Sequence, residues 1–305
     1  MKVVLGIDGG GTNTRASIVA GERVLGRAEG GSIKRLRVGA DAAETHLRGI
    51  LATVFAQAGV SSVDAACCGV ASARLPGVHE WINAVLREFR VQRSEVVGDE
   101  VIALDAAFHG GPGILQIAGT GANTVGRAPD GGREGAGGWS SRLGDKGSGY
   151  WIGLHAVRRA LHALDCEEPT EILTRVGEVW NTPTIDQLAQ FGDSTPGPDF
   201  AALAPVIDKL AEAGDTVAIG VLKQAAADLV ETLLLVRAKL RRKHNIEGEV
   251  PFAWTGSVIA KTRLVREDFF AGLHTAAPDM PIGQSEVVAL EGAIWRAKRL
   301  ADEGN

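Results

Sequence analysis

The sequence predicts a mixed α/β protein built from two related halves, each opening on a β-hairpin with a glycine-rich turn. Two observations predict the halves. The stretch IDGGGTNT at Ile7 to Thr14 returns as IAGTGANT at Ile117 to Thr124, 110 residues further on. Each copy follows a short apolar run and leads back into alternating residues, the pattern of strand, tight turn, strand. A third observation predicts the class: after the first hairpin, helical and strand periodicities alternate, which gives a mixed sheet with helices packed on it.

The elements follow in order. Val3 to Ile7 and Arg15 to Val19 make the first hairpin, and a third strand is expected near Arg23 to Arg27. Residues 41–58 place Leu47, Ile50, Leu51, Val54 and Phe55 on one helical face. A strand near Ala65 to Ala71, a helix near Val78 to Phe89 and a short strand ending at Gly98 complete the first half. The hairpin pattern restarts at Gly113, longer helices fill about 148–246, and Pro251 to Trp254 is a strand running into TGS. The stretch 193–199 reads as a loop, and HGGPG at 109–113 reads as the domain junction. The expected domains are therefore 1–112 and 113–284, with an amphipathic helix from Glu286 to Leu300.

Composition limits the function classes. At 305 residues the chain is long for one domain, and 45% hydrophobic with 23% charged residues is ordinary for a globular protein with a sizeable core. A net charge of −5 argues against a nucleic-acid surface, and Arg241-Arg242-Lys243-His244 reads as the solvated end of a helix. No apolar run approaches the ~20 residues of a membrane helix, and Asp8 interrupts any signal-peptide core, so a cytoplasmic location is expected. Cys67, Cys68 and Cys166 form no metal or disulfide pattern, and the seven histidines show neither metal spacing nor a triad.

The turns suggest chemistry. Glycine permits positive φ and lacks a Cβ, so a ligand can approach the backbone amides, while neighbouring Thr and Asn side chains offer further donors and acceptors. Such loops suit phosphate. Two of them could hold a polyphosphate from both sides. A third glycine-rich segment, GGWSSRLGDKGSGYW at 137–151, is costly in chain entropy unless something orders it, and it lacks the spacing of a Walker loop. Read alone, Trp139 there is a core aromatic and Asp145 a helix cap. Asp8 ends the first strand beside the glycines, where a carboxylate can hold Mg²⁺ directly or through water, though Asp is also common in turns. Asp99 closes a short strand and opens a helix, a position that suits either a ligand contact or an N-cap.

GIDGGGTNT, the central IAGTGANT…GAGGWSSRLGDKGSGYWIG and the late WTGS together resemble the N-acetylglucosamine kinase and BadF-type ATPase family of the actin-like, sugar-kinase and Hsp70 superfamily. The resemblance runs from residue 2 to about 300. It implies a two-lobed actin-like (ribonuclease H-like) ATPase fold with ATP in the interlobe cleft, the C-terminal helix (285–305) packing back on the first lobe. The repeated hairpins are then the two phosphate loops, Gly10, Gly11, Thr12 and Asn13 in one and Gly119, Thr120 and Gly121 in the other. Gly256 and Ser257 match the turn beside the adenosine, and Asp8 the Mg²⁺ carboxylate. Asp99, about 20 residues before the second loop, matches the carboxylate that takes the proton from the sugar hydroxyl; Asp105 is a rival inside the following helix. Gly138, Trp139, Ser140 and Asp145 match residues that line the sugar.

One departure stands out. Where these kinases usually carry an Asn after the third strand, near the sugar, this chain reads GGSIKRLRVG and places Lys34. The expected activity is ATP- and Mg²⁺-dependent phosphorylation of an amino sugar, N-acetylglucosamine to its 6-phosphate. The alternatives are a glucosamine kinase or a BadF-type ATPase that activates a partner enzyme through an iron–sulfur cluster, a role for which the three cysteines do not look placed. The expected partner is a small sugar, with neither nucleic acid nor membrane, and a homodimer is compatible with the reading.

Overall fold

The computed structural model describes residues 1–303. Along the chain the elements are β1 (Val3–Gly9), β2 (Asn13–Ala20), β3 (Arg23–Gly31), α1 (Arg35–Val38), α2 (Ala40–Ala58), β4 (Ala65–Val70), α3 (Val78–Glu88), β5 (Ser94–Val97) and α4 (Asp99–Phe108). Then come β6 (Gly113–Ala118), β7 (Ala122–Arg127), β8 (Arg133–Gly137), α5 (Gly149–Asp165), α6 (Ile172–Trp180), α7 (Ile185–Gly192), α8 (Ala204–Glu212), α9 (Thr216–His244), β9 (Phe252–Thr255), α10 (Ser257–Lys261), α11 (Arg263–Ala276) and α12 (Ala289–Asp302). The chain divides into two compact units, Met1–Gly113 with Val287–Asn305, and Ile114–Glu286.

In the first unit a five-stranded sheet has the order β3-β2-β1-β4-β5. β2 is antiparallel to both β1 and β3, while β4 runs parallel to β1 and β5 parallel to β4. β1 is central and covered on both faces, which is why Val4, Leu5 and Ile7 are all buried. Leu5 and Ile7 pack with Leu47, Ile50, Leu51 and Ile82 of α2 and α3. On the opposite face Val4, Val19, Ala65 and Cys67 pack with Ile102 of α4 and Ala293, Ala297 and Ala301 of α12. Cys67 and Cys68 thus point to opposite faces of β4, both fully buried, and burial pushes the Cys68 thiol up to about 12.

α12 lies close on this unit because small residues let it. A Cβ on Gly292 would come within 1.8 Å of the Ile102 carbonyl oxygen in α4. Gly292→Ala is therefore expected to destabilise by ~1–3 kcal/mol through overpacking, although Ala is the better helix former by up to ~1 kcal/mol. Thermal unfolding reads this directly, and an unchanged or raised Tm would show that the two helices part at no cost.

The second unit repeats the strand order on a smaller scale, β8-β7-β6-β9, with β9 parallel to β6 and β8 antiparallel to β7. Its core is made largely by helices, with Leu222, Leu229, Leu233 and Val236 of the 29-residue α9 fully or nearly fully buried. Four elements are not anticipated from the sequence, one of them the five-residue α10. REGAG at 133–137 has no apolar strand pattern, yet it pairs as β8 on the open edge of β7. α1 is four residues long, too short for a periodicity. α11 does show the spacing of an amphipathic helix, since Val265, Phe269 and Leu273 recur every four residues and are fully buried.

Candidate active site

Parallel and antiparallel pairing together bring the carboxyl ends of β1, β3, β4 and β5 to one edge of the first sheet, where α/β proteins meet their ligands. Asp8, at the end of β1, is half-buried, and desolvation raises its carboxyl above the ordinary range while Arg15 pulls it back. Asp99 is the first residue of α4, immediately after the end of β5; the N-cap position itself belongs to Gly98. Its Oδ1 accepts from the Glu100 backbone N–H at 3.0 Å. Desolvation, then the carboxylates of Glu100 and Asp8, push Asp99 up to about 7, against the lowering effect of that amide.

The β1–β2 turn is held by a clasp from the segment after β3. The Ser32 hydroxyl lies 3.2 Å from the Gly11 carbonyl oxygen and donates to it, and Arg37 Nη1 donates to Gly11 O at 3.3 Å and to Thr12 Oγ1 at 3.2 Å. The Ser32 carbonyl in turn meets His46 Nδ1 at 2.8 Å. The clasp residues Ser32, Arg37 and His46 are not found from sequence, because a lone Ser, Arg or His in a connection carries no motif. Gly10, Gly11, Thr12 and Asn13 are at least partly accessible, and nothing in the structure lies within 4 Å of a Cβ placed on Gly11. Neither Gly10 nor Gly11 adopts positive φ, and nor do Gly119 and Gly121. That corrects the expectation from sequence: these glycines matter for the missing Cβ, which opens the amide face to a ligand.

In the second unit the β6–β7 turn is closed by Gly119 N–H donating to Gly121 O at 2.9 Å. The first amides of α5 anchor it, Gly149 N–H to Gly119 O at 2.8 Å and Tyr150 N–H to Thr120 O at 3.2 Å. Gln116, buried in β6, braces it from below: its amide donates to the Asn123 carbonyl at 3.3 Å and its Oε1 accepts from the Thr124 hydroxyl at 2.6 Å. Gly256 abuts the same turn with φ +110, and a Cβ there would meet the Ala118 carbonyl oxygen at 2.4 Å. The Ser257 hydroxyl and amide nitrogen lie 4.0 Å from a Cβ on Gly119. The second phosphate-loop candidate and the TGS turn therefore form one continuous surface.

Asp145 reaches that surface too. It is buried, sits at φ +52, and its Oδ2 would be 2.7 Å from a Cβ on Gly121. It is not the cap of α5; Ser148 is, accepting from Trp151 N–H at 3.1 Å. Trp139 is 83% exposed, so the alternative of a core aromatic is overturned. Ser140 opens a local turn, its hydroxyl accepting from Leu143 N–H at 3.2 Å, and Gly138, at φ +70, bonds Ala122 O from its own N–H. Asp105, the rival base, is fully buried inside α4 and paired at 2.5 Å with Arg296, which also binds Glu95. A cavity of about 230 Å³ in the second unit lies among α8, α9 and α11, and none of the residues singled out from sequence lines it.

Set beside known proteins, residues 5–294 match the model of the BadF/BadG/BcrA/BcrD ATPase family. The chain belongs to this family. Among its relatives is the N-acetylmuramic acid/N-acetylglucosamine kinase of Clostridium acetobutylicum, 27% identical over 99% of this chain and 100% of the relative. The glucosamine kinase of Vibrio cholerae is 30% identical over 82% of this chain and 85% of its own length. A solved Chromobacterium violaceum protein assigned as an N-acetylglucosamine kinase superposes with a TM-score of 0.74 at 27% identity, covering 96% of this chain and 98% of that one. A Streptomyces griseus ROK family glucokinase, solved with glucose and AMPPNP, shares the fold at 16% identity and a TM-score of 0.59, covering 98% and 99% of the two chains. The fold is that of the actin-like sugar kinases.

Proposed function

We propose that this family member is an ATP-dependent amino-sugar kinase that converts N-acetylglucosamine to its 6-phosphate, with Asp99 as the base. The observation that carries the reading is Asp99 itself, a desolvated carboxyl raised to about 7 at the same sheet edge as Asp8 and the open Gly10–Asn13 turn. Phosphoryl transfer is catalysed mostly by positioning and charge stabilisation, so a fixed acceptor hydroxyl, a nearby base and phosphate-holding amides are the parts required. Within the first unit the β1–β2 turn offers amides and the Thr12 hydroxyl to phosphate oxygens. Within the second the β6–β7 turn offers amides and the Thr120 hydroxyl, Gly256 and Ser257 suit a nucleoside, and Asp145 with Gly138, Trp139 and Ser140 suits a sugar.

Asp8, beside the base Asp99, also fits Mg²⁺. Both carboxyls are raised by burial and repel each other, a pairing that a divalent cation relieves. Mg²⁺ commonly takes one or two carboxylates and completes its shell with phosphate oxygens and water, so Asp8 suffices as its protein ligand. When bound, it would neutralise charge on the transferring phosphoryl group. The activator reading is not favoured, since Cys67 and Cys68 are buried in β4 and cannot be presented together on a loop.

The test is ATP consumption against a panel of hexoses and amino sugars, with the product identified by phosphorus NMR. A sugar-independent ATPase would overturn the proposal. Lys34 adds a prediction on selectivity. It is half-buried after β3, and a cationic acceptor nearby would be repelled more strongly than in water. Glucosamine is largely cationic at neutral pH, whereas N-acetylglucosamine is neutral and its acetamide oxygen can accept from the lysine. kcat/KM is expected to be higher for N-acetylglucosamine, with Lys34→Asn narrowing the gap; a wild-type preference for glucosamine would refute it.

A further inference from the structure

We infer that Glu286 determines nucleotide specificity, its carboxylate accepting from the ribose hydroxyls of ATP while it fastens the TGS turn. The inference rests on the kinase reading, deepens it at the nucleotide, and concerns the second unit alone.

The segment after α11 runs beside β9. Phe252 and Ile282 form a parallel bridge, Phe252 N–H donates to Pro281 O at 2.8 Å, and Gly283 N–H donates back to Phe252 O at 2.8 Å. Trp254 Nε1 adds a bond to Gly283 O at 3.2 Å. Because the pairing is parallel, residues 281–286 travel in the direction of β6 and β9 and reach the carboxyl edge of the sheet, where α/β proteins hold their ligands. The same register, carried on from Phe252 and Ile282, brings Gly256 opposite Glu286. They meet there: Gly256 N–H donates to Glu286 Oε1 at 3.0 Å.

This bond fixes the carboxylate relative to the phosphate turn. Gly256 abuts Gly119, whose amide nitrogen would lie 2.9 Å from a Cβ on Gly256. A triphosphate held at Gly119 to Gly121 therefore leaves its ribose, the next group of the nucleotide, beside Gly256, with the base further out. Glu286 is exposed, and among the described residues the Gly256 amide is its one hydrogen-bond donor and no cation pairs with it. A carboxylate with one amide contact keeps acceptor capacity on both oxygens for vicinal hydroxyls, and it has no donor to offer a phosphate. Its charge also repels phosphate oxygens, so the neutral, hydroxyl-bearing part of the nucleotide is the part it favours.

The test compares ATP with 2′-deoxy-ATP as phosphoryl donors to N-acetylglucosamine. The wild type should favour ATP by about 10- to 100-fold in kcat/KM, the range of one charge-assisted hydrogen bond, with most of the difference in KM. Glu286→Gln keeps an oxygen for the Gly256 amide but makes it a neutral acceptor, so the ratio should fall to roughly 2- to 5-fold while the KM for the sugar is unchanged. Equal use of the two nucleotides by the wild type would overturn the inference. So would a Glu286→Gln variant that loses activity equally with both, because the side chain would then only brace the turn. Discrimination against inosine triphosphate but not against 2′-deoxy-ATP would place the carboxylate at the amino group of the base and would overturn it too. Calorimetric titration of the two nucleotides without sugar separates this inference from the kinase reading. Tighter binding of ATP, lost in Glu286→Gln, supports the role of Glu286 even if no sugar is phosphorylated, and equal binding refutes it even if N-acetylglucosamine is.

Discussion

Asp99→Asn is expected to lower kcat by roughly 10²–10⁴, the usual loss when a general base is removed, while leaving the fold and sugar affinity in place. The substitution is nearly isosteric, and the one backbone contact of the side chain, from Glu100 N–H to Oδ1 at 3.0 Å, is open to an amide oxygen as well. The pH dependence has a definite sign. Only the ionised carboxylate can accept a proton, so the wild-type kcat/KM rises with pH through a value near 7, where Asp99 titrates. That limb should vanish in Asp99→Asn. Turnover by a coupled ADP assay and sugar binding by calorimetry are the measurements. Near-normal turnover, or a surviving limb near 7, would remove Asp99 from the mechanism.

Arg296→Met is expected to destabilise the protein by about 3–5 kcal/mol, the cost of leaving a buried charge without its partner. Asp105 is 1% exposed, and Arg296 supplies its 2.5 Å ion pair from α12, across 191 residues of sequence. The same guanidinium also bonds Glu95 on β5, through Nε at 2.9 Å and again through Nη2. One side chain thus joins α12, α4 and β5. Urea unfolding measures the effect, and Asp105→Asn combined with Arg296→Met should recover part of it, because the stranded charge is then gone. A loss below ~1 kcal/mol in the single variant would mean that the network contributes no more than a surface pair.

These two carboxylates show where sequence reasoning reaches and where it stops. Asp99 and Asp105 are six residues apart on one apolar background, and chain position alone ranks them without explaining the ranking. The structure separates them physically: Asp105 has a fixed cationic partner, whereas Asp99 faces other carboxylates that raise it. Trp139 and Asp145 are a similar pair. Both belong to one glycine-rich segment, yet the aromatic is exposed and the carboxylate is buried against Gly121, the reverse of what polarity predicts. The residues that clasp or brace the turns, Ser32, Arg37, His46 and Gln116, act through contacts made after folding and have no local signature.

Residue order was enough for the periodic part: the hairpin echo, the strands with apolar runs, the helices with one apolar face, and the glycine-rich turns. These follow from residue type at short range, since side-chain period and backbone sterics are local properties. Which charges are paired, which are desolvated, and which turn each anchor holds follow from packing between distant segments. A carboxyl's proton affinity depends on neighbours from β1, β5, α4 and α12 that meet only when the sheet closes, because desolvation and Coulomb energy are set by distance in space.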